Sequence, residues 1–137
     1  MEREGVFAPE SSEEARQRYA SLEPAASEIL SAVTRELGFD SEEYDRRVTA
    51  TVHDTARDAL FASLLEVCVG TRDEYESWRD QHDDDVLETG SENVDSVAWH
   101  VGPTGTAIAA TFQNEREAAV GTLRRQAFGR LYSEVVR

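Results

Sequence analysis

The chain has no lysine. All 14 of its basic residues are arginine, set against 28 Asp and Glu, for a formal charge of -14 over 137 residues. Cysteine is reduced to one residue, Cys68, which excludes an internal disulfide and a cysteine-based zinc site. Proline occurs three times, and no Gly/Ser/Pro-rich stretch reads as a linker. No apolar run approaches the roughly 18 residues needed to cross a membrane. The opening 1-MEREGVFAPESSEE-14 is charged and lacks the apolar core of a signal peptide. These absences lead to the expectation of a soluble cytoplasmic protein with no membrane partner.

The surplus of acid reads first as solvent adaptation. Molar salt shortens the screening length to about 3 Å, which removes most of the self-repulsion this charge would cause in dilute buffer. Dense carboxylates then keep the surface hydrated. Acidity ordinarily argues against nucleic-acid binding, but that argument weakens in a salt-rich cytosol, where acidity is general. The densest charge run, 73-DEYESWRDQHDDDVLETGSENVD-95, reads as solvated surface. Its His82 and three following aspartates lack the spacing and glycine turn of a calcium loop.

Helical signals dominate the first half. Ser11 and Glu14 have capping-box spacing, which opens a helix over about 12–20. Pro24 suits the first turn of a second helix, in which Ala25, Ile29, Val33 and Leu37 form an apolar stripe with Ala26 and Leu30 beside it. Asp40 or Ser41 caps a short helix over 41–48, and a fourth follows over about 51–63. The period then changes. Residues 64–70 alternate as a strand, Thr71 and Glu74 form a second capping box, and 85–89 is a weakly marked edge strand. The segments 95-DSVAWHV-101 and 106-TAIAATF-112 flank the turn 102-GPTG-105 and read as a hairpin. With a four-residue turn, Val97, Trp99 and Val101 share a face with Ile108, Ala110 and Phe112. His100 then lies on the other face beside Ala107, Ala109 and Thr111. A last helix covers about 114–128, with Gly129 as its stop.

That last helix holds 118-AAVGTLRRQAFGRLYS-133, a stretch with three arginines and no acid. At 100° per residue, Val120, Leu123, Ala127 and Leu131 make the apolar stripe. Arg124 falls close to its centre, Arg125 lies opposite, and Arg130 flanks it. Arg124 therefore reads as structural, its stem on the core and its head paired with a carboxylate, for which Glu66, Glu88 and Asp95 are candidates. Arg125, Arg130 and Arg137 read as a basic corner able to hold a carboxylate or a phosphate. His100 and Trp99 mark a possible pocket, although a lone histidine over small residues is more often covered by a helix. Pairing of Cys68 with His100 as a nucleophile would lack a third, orienting group. No acid, base and nucleophile converge, so no catalytic residue, cofactor or metal is implied.

The segments 6-VFAPESSEEARQRY-19, 55-TARDALFASLLEVCVGTRDEYESW-78, 97-VAWHV-101 and 123-LRRQAFGRLY-132 together resemble an uncharacterised family of small haloarchaeal proteins, a domain of unknown function. The resemblance implies a salt-loving archaeal origin and carries over no activity and no functional residue.

The expectation is a single α+β domain over 1–137, mostly helical in 1–63 and β-α-β-β-β-α in 64–137. A small, mainly antiparallel sheet would be built on the 95–112 hairpin, with strand 64–70 added, helices on one face, and the C-terminal helix packed on it. The function expected is a non-catalytic protein-interaction module of a high-salt cytoplasm, as a homo-oligomer or accessory subunit. An RNA- or ribosome-associated binder is the alternative, and an unrecognised enzyme the third reading.

Overall fold

The computed structural model describes residues 1–137. Strand β1 (Glu2–Glu4) precedes four helices, α1 (Ser12–Ser21), α2 (Glu23–Glu36), α3 (Ser41–Arg47) and α4 (Ala50–Ser63). Strand β2 (Val67–Thr71), helix α5 (Arg72–Asp80) and strands β3 (Val86–Thr89), β4 (Ser96–Val101) and β5 (Ala107–Phe112) follow. Helix α6 (Arg116–Ala127) closes the chain and runs into a π-helical turn, Phe128–Tyr132. The sheet order is β1-β2-β4-β5-β3. Three neighbour pairs are antiparallel and β3–β5 is parallel, so the expected α+β fold with its C-terminal helix on the sheet is the one observed.

The helix starts follow local chemistry. Ser11, Asp40, Thr49 and Thr71 each accept a hydrogen bond from the backbone N–H three residues on, satisfying a donor the helix cannot. Thr71 and Glu74 complete the reciprocal capping box. At Ser11 only half the box forms, because the Glu14 carboxylate accepts from the N–H of Glu10. Gly129 does not stop the last helix. The N–H of Ser133 reaches back to the carbonyl of Phe128, and the wider turn carries the chain on to Tyr132.

Two features depart from the sequence expectation. The hairpin pairs Val101 with Ala107 and Trp99 with Ala109, one residue away from the register a four-residue turn would set. Residues 102–106 form the loop, closed by a bond from the Gly102 N–H to the Thr106 carbonyl. A one-residue slip exchanges faces. Trp99 therefore shares its face with Ala109, whereas His100 stands opposite Ile108. The second departure is that helices cover both faces. Tyr75 and Trp78 of α5 pack over Val97, Trp99 and Ala109, and α6 lies over Ala98 and Ile108 on the other side.

The larger core joins both parts of the chain. Ala15, Tyr19 and Phe61 from the helical half meet Leu65, Val67, Val120, Leu123 and Tyr132. Phe61 is fully buried, and its ring sits 5.3–5.9 Å from those of Phe7, Tyr19, Phe128 and Tyr132. Burying one such ring stabilises by about 1.5–3 kcal/mol, and edge-on aromatic neighbours add to that.

Strand β1 gives no sequence signal, since Glu-Arg-Glu has no apolar alternation. Its position is fixed from a distance. The Arg116 guanidinium forks across Glu2 and Glu4, and the terminal ammonium pairs with Glu74.

Candidate functional site: an arginine-lined groove and an open apolar helix face

His100 and Trp99 lie on opposite faces of β4 and are both buried. The Nδ1 of His100 is 2.6 Å from the carbonyl of Glu66, which can only accept, so Nδ1 carries the proton. Its Nε2 then accepts from the Tyr132 hydroxyl at 2.7 Å. Every polar atom of the imidazole is used, and burial pushes its pKa below the usual value. The small residues Ala107 and Ala109 expected beside it lie on the Trp99 side, and the His100 face, with Ala98 and Ile108, is covered by α6 and the π turn. Trp99 is enclosed by Tyr75 and Trp78, with ring centroids 5.3 and 5.7 Å away. Cys68 pairs with Trp99 across the strands and packs with its cluster, on the side away from His100. Burial raises its thiol pKa, which disfavours the thiolate. His82 stacks on Trp78 at 4.6 Å, and its Nε2 lies 2.8 Å from the Gly105 carbonyl.

The four C-terminal arginines have separate environments. Arg124 has its stem half-buried, as its place on the stripe requires. In place of the expected carboxylate, its Nε and Nη2 donate to the main-chain carbonyls of Leu65 (2.8 Å) and Glu4 (3.0 Å). The reason lies in geometry: α6 packs on α4, and these carbonyls belong to the last residue of β1 and to the turn just past the end of α4. Arg125 is exposed, and its one bond is to the Thr122 hydroxyl at 3.3 Å. Arg130 is exposed. Arg137 is tied down, donating to Asp58, whose other oxygen accepts from the Tyr19 hydroxyl at 2.5 Å.

Arg124 and Arg125 line one wall of a groove of about 460 Å³ between α4 and α6, and Arg130 is not part of it. Thr55, Ala59, Ala62 and Ser63 supply the α4 side, and Gly121 and Phe128 the opposite floor. Asp58 also borders it, with its charge already matched by Arg137. The signal for this groove was present in the sequence as Gly121. A glycine inside a helix costs about 1 kcal/mol relative to alanine, and here it leaves open space: an added Cβ would meet only the Arg125 Nη1, at 3.6 Å.

The second open surface is on α2. Ala26 and Thr34 are its buried residues, turned to α4, while Ile29, Val33 and Leu37 beside them are 46%, 50% and 66% exposed. The Thr34 hydroxyl tolerates burial because it donates to the Leu30 carbonyl at 2.8 Å. The stripe that periodicity assigns to the core thus lies open to solvent.

No helix is long and apolar enough to cross a membrane. No group of three or more His, Cys, Asp or Glu is gathered in a way that could hold a metal ion. The molecule is therefore an α+β protein whose mixed five-stranded sheet is covered on both faces, with a cationic groove at one side and an open apolar helix face at another. The chain belongs to DUF5809, a family of unknown function, whose model matches residues 6–133. No curated protein and no solved structure matches it.

Proposed function

We propose that the chain is a non-catalytic protein-interaction module of a salt-rich cytoplasm and that it self-associates through α2. The observation that carries the reading is the exposure of Ile29, Val33 and Leu37, three large apolar side chains at i, i+4 and i+8 on one helix. They span about 12 Å along the axis. The stripe is self-complementary: Val33 is its centre, with one apolar residue four positions to either side. A two-fold axis through Val33 places Ile29 of one copy on Leu37 of the second, the isologous arrangement most dimers use. Ala25 and Ala32 flank the stripe and permit close approach of the backbones. The stripe is narrower than a standard interface, which argues for a weak, concentration-dependent dimer. The charge of -14 and the absence of lysine support a salt-rich setting, where repulsion between two acidic copies is screened.

The RNA- or ribosome-associated alternative rests on the exposed Arg125 and Arg130. Sedimentation across a concentration series in molar salt, with and without ribonuclease, separates the two readings. The expected result is a monomer–dimer shift indifferent to ribonuclease and abolished by Val33→Asp. A native chain that stays monomeric at every concentration, or an assembly that ribonuclease dissolves, overturns the self-association.

A further inference from the structure

We propose that the groove between α4 and α6 binds a small organic carboxylate with an apolar tail. Its volume of about 460 Å³ lies within the range of small-molecule sites. The walls are short side chains, Ala59 and Ala62 on one side and bare Gly121 on the other, above the Phe128 ring. An apolar tail fits that trough, and a strongly hydrated polar body does not.

The charge of the groove sets the head group. Asp58 and Arg137 neutralise each other at the border. Arg124 and Arg125 make no ion pair. Two unneutralised guanidinium groups beside an apolar trough favour an anion at that end. The donors still free show how the head group would be held. Arg124 commits Nε and Nη2 to the carbonyls of Leu65 and Glu4, leaving Nη1. Arg125 commits Nη2 to Thr122, and its Nη1 lies over Gly121. Arg124 thus keeps Nη1 and Arg125 keeps Nε and Nη1, donors enough to hold both oxygens of a carboxylate at the head of an apolar tail.

The test uses the native chain in molar salt with octanoate and octanol as probes, followed by the amide resonances of Ala59, Gly121 and Phe128. The expected result is a saturable one-to-one shift with octanoate and at least tenfold weaker binding of octanol. Arg125→Gln should weaken octanoate by about tenfold, the scale of a charge-assisted hydrogen bond, and leave octanol unchanged. Gly121→Leu, which fills the trough, should abolish binding of both. Equal affinity for octanoate and octanol, or no saturable shift with either, overturns the proposal on the native chain alone, whether or not the leucine variant folds. Undiminished octanoate binding by Arg125→Gln overturns it as well.

Discussion

On α6, Val120, Leu123 and Ala127 are sealed against the sheet, each at most 2% exposed. On α2, Ile29, Val33 and Leu37 stand in solvent at 46–66% exposure. Both sets are apolar at helical spacing. The difference comes from what each helix has to lie on. Helix α6 meets the broad face of β4 and β5 and also touches α4, so a wide stripe finds cover. Helix α2 meets chiefly α4, another cylinder, which shields only the strip through Ala26 and Thr34. A helix on a sheet buries more of its circumference than a helix on one helix. The same pattern of residues therefore means core in one place and an open contact face in the other.

The comparison is broken most forcefully by truncating the buried stripe. Leu123 is fully enclosed, and Leu123→Ala should cost about 2–5 kcal/mol, the transfer energy plus the cavity left behind. Urea unfolding in molar salt should show the midpoint fall with little change in slope.

The next effect tests how the region under α6 is held. Tyr132→Phe removes the proton donor to His100 Nε2 and leaves a buried acceptor unpaired, at a cost of about 1–3 kcal/mol. The pH dependence adds an independent check. The His100 pKa in the folded chain lies below its ordinary 6.5, first because of burial. The unfolded chain thus binds more protons below that pH. Stability is fully present above about pH 6.5 and declines as pH falls from there towards the folded-state value. His100→Gln should flatten that decline between pH 7 and 5, measured by unfolding at each pH.

Much of this scaffold could be read from residues alone, because the signals were local. The capping box of Thr71 and Glu74, the Asp40 cap and the alternation in Ser96–Val101 and Ala107–Phe112 all act within a few positions. The failures, the hairpin register apart, share a non-local cause. β1 is three charged residues whose place depends on Arg116, more than a hundred positions away. The hairpin register turned on whether the loop held four residues or five, and the slip exchanged the neighbours of His100 and Trp99. The head of Arg124 went to carbonyls whose availability depends on where α4 ends and β1 lies. The groove and the open face of α2 are both products of packing, and helical periodicity is blind to which partner a stripe meets.

The smallest expected change is the one that sharpens the contrast between α2 and α6. Replacing Ile29 and Leu37 together by Ser removes as many large apolar side chains as a double truncation in the core. With Ile29 already 46% and Leu37 66% exposed, the monomer has little burial to lose. Serine in an exposed helix costs a few tenths of a kcal/mol in propensity, and surface changes of this kind fall within about 0.5 kcal/mol each. Unfolding of the double variant at monomer concentration should therefore nearly overlay that of the parent. At high protein concentration the curves should separate, because a dimer adds stability that grows with concentration and the variant cannot form it. A loss of several kcal/mol at low concentration would mean that α2 is buried in the monomer after all. Curves that coincide at every concentration would mean that the stripe contributes to no self-contact.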